Sequence, residues 1–276
     1  MSVADPPLPS LSPDASLPVV RRLDRLALNV RDLDRSVAFY AGALDATMVA
    51  RSATGVRLAV GAQRIELVQR ADARPYPEPR AANDPWFQHF AIAVADMAAA
   101  HARLVHHDPE PITRGGPQLL PPSTGSVTAY KFRDPDGHPL ELSHAPASDW
   151  SRAPHDGKLF LGIDHSALAV GDLDASIAFY TRLGFRLGTR SLNQGPEQAR
   201  LDGLDGATVA IATLLTPDPG LHIELLQYRS PAPQPARDLL PGDIAATETV
   251  LARSDRVDLS QLTDPDGHLL RFTSSQ

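Results

Sequence analysis

Two segments of this chain are copies of each other, and a repeat at that scale limits the fold more than any other feature. LDRLALNVRDLDRSVAFYAGALDATMVARS begins at Leu23, and IDHSALAVGDLDASIAFYTRLGFRLGTRS begins at Ile163. Each opens on an apolar strand with an alternating pattern. Each continues into D-x-D-x-S, a helix-start signal, with Asp34 or Asp174 as the expected N-cap. A short amphipathic helix should end near Leu44 or Leu183, with Gly184 as the C-cap of the second copy. The apolar faces of these helices (Val37, Phe39, Tyr40; Ile177, Phe179, Tyr180) are expected to be core. Each copy later reaches an IEL strand, Ile65-Glu66-Leu67 or Ile223-Glu224-Leu225.

A second pair of segments completes the pattern. Gln88 to Val94 is a strand pattern followed by an Asp96-led helix to about Val105, and the same stretch later carries VTAYKFRDPDGHPLELS. The last segment carries VDLSQLTDPDGHLLRFT. Each DPDGH joins two apolar runs and predicts a β-hairpin turn. The order is therefore module 1 (about 22–72), module 2 (about 86–146), module 3 (about 160–229) and module 4 (about 240–275). Proline-rich stretches separate them. Module 4 is short: Thr247 to Ala252 is its only candidate first strand, and no helix pattern precedes Val257. The expected domains are a Pro-rich tail (1–20), modules 1 and 2 (21–148), and module 3 with a shortened module 4 (159–276). The predicted class is α+β: tandem βαβββ modules building two cupped mixed β-sheets with outer helices. A cup with a polar interior is a natural ligand site.

Composition narrows the chemistry. The chain has no cysteine, which excludes disulfides, thiolate nucleophiles and Cys-ligated metal centres. Any metal must be held by His and carboxylate. A formal charge of −7 without a dominant basic run argues against nucleic acid. No apolar run is long enough to predict a membrane span, and the N-terminus lacks a signal-peptide pattern, so a cytoplasmic protein is expected.

Successive strand side chains point to opposite faces. At Ile223-Glu224-Leu225 the apolar neighbours face the core, so Glu224 faces the cup; the same argument applies to Glu66 and Glu141. A mid-strand carboxylate among aliphatic residues is costly unless paired or metal-bound. His89 and His165 stand at the matching end of the first strand in modules 2 and 3. They share their faces with small residues, Ala91 and Ala93, then Ala167 and Ala169, which leave room above the sheet.

These strands, the helix signal and the DPDGH turns resemble the vicinal oxygen chelate superfamily of glyoxalase, bleomycin-resistance and extradiol-dioxygenase proteins. The resemblance covers nearly the whole chain after the tail. It implies metal ligands from the first and last strands of paired modules: His89, Glu141, His165 and Glu224. It implies one divalent metal ion (Fe, Mn, Ni, Co or Zn). A ligand glutamate that detaches, Glu141 or Glu224, could then serve as a base, and Tyr130 as an acid if it faces the cup, with core or rim packing as the alternative. Module 1 has Arg25 where a His would stand but keeps Glu66; module 4 has Thr247 or a neighbour at the His position and Arg271 at the Glu position. Pairing modules 1+2 and 3+4 would split the ligands between two partial sites. Pairing 2+3 and 1+4 would make one complete site and one degenerate site, and is favoured on chemistry. The DPDGH placement argues for 1+2.

The resemblance implies a metal-dependent enzyme of lyase or isomerase type, acting on a small substrate chelated through adjacent oxygens. Two alternatives stand: an Fe(II) extradiol dioxygenase, and a non-catalytic drug-binding resistance protein. The last is disfavoured by an aromatic content of 5%. Small-molecule substrate, no nucleic acid, no membrane, and a monomer or homodimer complete the expectations. Plainer readings apply elsewhere. His138 and His268 are expected as turn residues, His101, His106 and His107 as solvated, Arg114-Gly115-Gly116 as a turn, and Tyr228 as cup-facing or packing; Glu66 is expected as a relic of the repeat or as an ion-pair partner of Arg25, with a ligand role left open.

Overall fold

The computed structural model describes residues 17–152, 155–234, 239–255 and 259–274. Most of the expected N-terminal tail lies outside the described residues, and its last residue, Val20, already belongs to a strand. Module 1 forms β1 (Val20–Val30), α1 (Leu33–Leu44), β2 (Thr47–Arg51), β3 (Gly55–Val60) and β4 (Gln63–Gln69). Module 2 forms β5 (Gln88–Val94), α2 (Met97–Val105), β6 (Glu110–Pro111), β7 (Gln118–Leu119), β8 (Thr128–Arg133) and β9 (Pro139–His144). A short α3 (Asp149–Arg152) leads to module 3: β10 (Phe160–Ala169), α4 (Leu173–Arg182), β11 (Arg186–Gln194), α5 (Pro196–Asp202), β12 (Thr208–Leu215) and β13 (His222–Ser230). Module 4 is reduced to β14 (Glu248–Arg253), β15 (Gln261–Thr263) and β16 (Leu269–Ser274).

The helix starts are shifted from expectation. Asp32 and Asp172, not Asp34 and Asp174, are the N-caps, accepting from the backbone N–H of Arg35 and of Ala175. Both aspartates of D-x-D satisfy the composition rule. Only the first has extended backbone geometry three residues ahead of a free N–H. The second copy ends at Leu183, and Gly184 follows one residue later at φ +97°, a left-handed position that glycine takes without strain.

The strands form two mixed sheets. One has the order β11-β12-β13-β10-β5-β9-β8-β6, with β7 paired to β8, and the other β15-β16-β14-β1-β4-β3-β2. Modules 2 and 3 thus share one sheet, and modules 1 and 4 the other. The junctions are antiparallel: β5 against β10, and β1 against β14. Helices α1, α2 and α4 pack on the face of the sheets opposite the cups. There, side chains from both sheets merge into one core that includes Leu26, Leu67, Phe90, Ile92, Leu142, Leu168, Leu251 and Phe272. Full burial of each such side chain stabilises by about 1.5–3 kcal/mol.

The DPDGH turns supply the connections that the sheets do not. Asp134 accepts from the backbone N–H of Asp136 (2.9 Å) and His138 (2.8 Å), closing the turn, and from Tyr40 Oη (2.8 Å) of module 1. Asp136 accepts from Ser36 Oγ at 3.0 Å, and His138 Nε2 lies 2.9 Å from the carbonyl of Asn29. The second turn repeats this on module 3: Asp264 accepts from Asp266, His268 and Tyr180 Oη, while His268 Nε2 lies 2.8 Å from the carbonyl of Ala169. His138 and His268 are therefore buried ties between modules 1 and 2 and modules 3 and 4. The sheets join 2 to 3 and 1 to 4, so the four modules close into a ring.

Asp134→Ala strands three buried donors at once. It should destabilise by about 3 kcal/mol, and Tyr40→Phe, which removes one bond, by about 1 kcal/mol. Urea denaturation midpoints measure both.

Candidate metal centre

The register across the larger sheet sets the site. Ala167 of β10 lies beside Glu224 of β13 on one side and His89 of β5 on the other. Ala91 of β5 lies beside His165 of β10 and Glu141 of β9. Two neighbouring rows result, Glu224–Ala167–His89 and His165–Ala91–Glu141, each with an alanine at its centre. Small central residues leave a space that the four longer side chains surround. His89 Nε2 lies 3.4 Å from Glu141 Oε2, His165 Nε2 lies 3.6 Å from Glu224 Oε2, and the imidazole centroids are 5.7 Å apart. His89, Glu141 and His165 each place a potential ligand atom within 4.8 Å of the others. Glu224 sits on the more open side, with 24% of its side chain exposed. Three of the four residues predicted as ligands, His89, Glu141 and His165, thus converge, and Glu224 joins them through its approach to His165.

Further residues, not anticipated from the sequence, surround this set. Asp164 precedes His165, and alternation alone would send it to the opposite face. A register irregularity between Ile163 and His165 breaks the alternation. Asp164 Oδ2 then lies 3.0 Å from His165 Nδ1, and the Trp150 indole N–H donates to the same carboxylate. A carboxylate on the far ring nitrogen orients a metal-ligating histidine. His222 Nε2 stands 4.0 Å from Asp164, and Asp164, His165 and His222 form a second group with ligand-like spacing. Lys131 Nζ is buried between Asp202 (2.6 Å) and Glu141 (3.8 Å). Asp202 comes from α5, a helix the sequence pattern does not announce. The sequence did carry one signal for Asp164: Asp24 occupies the same place in the first copy, a charge inside an apolar strand.

Comparison with known proteins places the chain in a family. The sequence matches the family described as Glyoxalase/Bleomycin resistance protein/Dioxygenase superfamily over residues 22–142 and 162–258. The chain belongs to this superfamily. A curated relative, glutathione transferase FosA of Serratia marcescens, is 30% identical over 128 residues, spanning 45% of this chain and 81% of the relative. Among solved structures, glyoxalase I from Zea mays aligns with a TM-score of 0.63 at 19% identity, covering 92% of each chain. A candidate dioxygenase from Bacillus subtilis aligns at 0.56 and 14% identity, covering 93% of this chain and 86% of that one. At these identities the two structures establish the fold alone. No helix among the described residues is long and apolar enough to cross a membrane.

The second cup of this superfamily member holds a different set at the equivalent positions. Its rows read Glu66–Ala27–Glu248 and Arg25–Val250–Arg271. Glu248, rather than Thr247, is therefore the module 4 counterpart of a ligand histidine. Arg25 Nε donates to Glu66 at 2.9 Å, and Arg271 binds Glu66 at 3.1 Å and Glu248 at 2.7 Å. Two guanidinium groups neutralise the carboxylates, and the expected Arg25–Glu66 pair is one edge of the network. The central Val250 also fills space that Ala91 leaves open.

The structure does not bring Tyr130 to the candidate metal centre. Its ring packs at 4.4 Å centroid distance against His101 of α2 and stacks on Phe132, on the core face of β8. Alternation makes the adjacent Lys131, not Tyr130, the cup-facing residue. Arg114, expected in a plain turn, donates to Asp205 at 2.6 Å. The Tyr228 hydroxyl is buried in the same cup as Glu224, beyond the small apolar cluster of Ala167, Ala169 and Leu226.

Electrostatics divide the two histidines. Burial, helped by the charge of Lys131, pushes His89 down to about 4, so it is neutral at pH 7. Burial also acts against a charge on His165, but Glu224 and Asp164 outweigh it and raise it to about 9. Burial would raise Glu141; His89 and Lys131 instead hold it at about 2. Lys131 also resists the effect of burial, because Asp202 and Glu141 raise it.

Because His165 binds its proton more tightly folded than unfolded, it stabilises the metal-free protein fully below pH 6.5, and this contribution falls as pH rises through about 9. Urea denaturation of chelator-treated protein should show a loss on the order of 1–3 kcal/mol between pH 6.5 and 9.5, absent in His165→Asn. Arg271→Ala should cost about 1 kcal/mol, because the pairs it breaks are partly solvated.

Proposed function

We propose that this chain is a metal-dependent enzyme that binds a small substrate through two adjacent oxygens and catalyses a lyase- or isomerase-type reaction. One observation carries the reading. His89 is buried, yet among the described residues its Nδ1 has no polar partner and its Nε2 has only the long 3.4 Å approach of Glu141 Oε2, with His165 facing it beside the alanines of the two strands. A buried polar group without a partner is costly. Two imidazoles and two carboxylates suit a divalent first-row metal, so the donor set fits. Bound there, such an ion supplies Lewis-acid polarisation of substrate oxygens.

The chain's own residues divide the remaining work. His89, neutral at pH 7, presents a lone pair without first losing a proton. His165 is aimed by Asp164 at Nδ1, which leaves Nε2 for the ligand position and requires its proton to leave on binding. Glu141, held ionised beside Lys131, is a weak base and serves as a fixed ligand. Glu224 is the more exposed carboxylate, and on this reading it would take a proton from substrate and return it. A second reading is an Fe(II) dioxygenase. The compact His89–Glu141–His165 group is a two-His, one-carboxylate set, and it favours that reading if the retained metal is iron.

Plasma mass spectrometry of protein purified without chelator or a metal column tests the reading. About one equivalent is expected in wild type. His89→Ala and His165→Ala should lose it, while Glu66→Ala, in the other cup, should keep it. No metal in wild type after reconstitution with Fe, Mn, Ni, Co and Zn would exclude the reading.

A further inference from the structure

One end of the metal-bearing cup is filled and the other is open. Beyond Ala167, the apolar side chains of Phe87, Ala169, Leu226 and Tyr228 close the space. In the opposite direction along the same strands, Ala93 stands two residues past Ala91, and Ser143 two residues past Glu141. One such step along a strand is about 7 Å. These residues form part of a hollow of about 310 Å³, open solvent included, whose other walls include Val94, Ala145, Trp150 and Asp164. Asp164 therefore links the two places: its carboxylate contacts His165, and the residue also lines the hollow.

Trp150 is built into this place by more than proximity. Its indole N–H donates to Asp164. A Cβ on residue 162 would come within 2.6 Å of the indole ring, so Gly162 makes the room in which the ring lies. Trp150 belongs to α3, in the connection between modules 2 and 3, and not to either repeat. The hollow's chemistry is also defined. Ala93, Val94, Ala145 and the indole are apolar; Ser143 and Ser148 carry hydroxyls, with that of Ser148 turned to the Ala145 carbonyl; His144 turns its Nδ1 to the Val94 carbonyl at 3.0 Å; and Asp164, the carboxylate among them, disfavours anions.

Resting on the metal-enzyme reading above, we propose that the Trp150-walled hollow receives the uncharged, apolar part of the chelated substrate, and that Trp150 is a positioning residue for His165 through Asp164. The substrate class is then a small neutral molecule with two adjacent oxygens at one end and a compact apolar group, such as a ring, at the other. Trp150 thereby couples the substrate-binding wall to the orientation of a metal ligand.

The two roles separate in two variants. Trp150→Phe keeps an aromatic wall and removes the N–H; Trp150→Ala removes both. The probes are benzohydroxamic and acetohydroxamic acid, which are neutral in free solution near neutral pH, release one proton on chelating through two oxygens, and differ in a phenyl ring; they are titrated into protein carrying the metal it retains. Wild type should bind the phenyl compound roughly tenfold more tightly. Its tryptophan fluorescence should change on binding, and Trp150→Phe, which keeps only Trp86, should lose that signal. Trp150→Phe should keep the tenfold preference but hold metal roughly tenfold more weakly, the scale of losing an outer-shell partner. Trp150→Ala should lose both. Should Trp150→Ala not fold, Trp150→Phe still decides: unchanged metal affinity together with an unchanged fluorescence response overturns the proposal. A wild type that binds metal but does not distinguish the two hydroxamates overturns it and leaves the metal-enzyme reading standing. A wild type that retains no metal overturns both.

Discussion

The antiparallel pairing of β5 with β10 is the constraint on which the site depends. It crosses a module boundary and brings Ala91 beside His165 and Ala167 beside His89. A slip of one residue would turn His89 and His165 toward the apolar core and expose Phe90 and Leu168 in the cup. The buried faces of both strands therefore lock the register, and the register locks the ligand geometry. Hydrophobic burial, a non-directional force, is converted here into placement of donor atoms.

The ring of modules explains how so short a module 4 persists. Its three strands bury one face against the shared core, and its turn is fastened to module 3 through Asp264, Tyr180 and His268. Those contacts do not require the helix that the other modules possess. The same turn motif in module 2 grips module 1. Each module is thus held by two different neighbours, by strand pairing on one side and by a buried aspartate on the other.

The two cups show two solutions to one electrostatic problem. Both place two glutamates among strands in a partly desolvated site, where unpaired carboxylates are unfavourable. In the cup of modules 1 and 4, Arg25 and Arg271 provide the compensating charge. In the cup of modules 2 and 3, histidines stand at two of the four positions. Lys131 is already engaged by Asp202, and His165 is the imidazole that the surrounding carboxylates hold protonated. On the proposed reading, a divalent cation would supply the charge that guanidinium groups supply in the other cup.

Much of this was legible in the sequence because it rests on local periodicity. The repeat, the strand alternation that aimed Glu66, Glu141 and Glu224 into cups, and the histidines at matching strand positions follow from the two-residue period of a β-strand. The helix starts were placed two residues late because D-x-D offers two capping aspartates, and only the backbone decides between them. A catalytic Tyr130 would have to face the cup, but Lys131, its neighbour, points there, and the alternation that aims Glu141 into the cup turns Tyr130 to the core. Asp164, Trp150 and Asp202 were out of reach for a different reason. A β-bulge turns Asp164 beside His165, a linker carries Trp150 onto Gly162, and an inserted helix brings Asp202 to Lys131 across 71 residues. The sequence alone determined which side chains could share a face. The tertiary structure decided which faces meet, because the pairing of modules depends on burial shared by all four, and no local pattern encodes that choice.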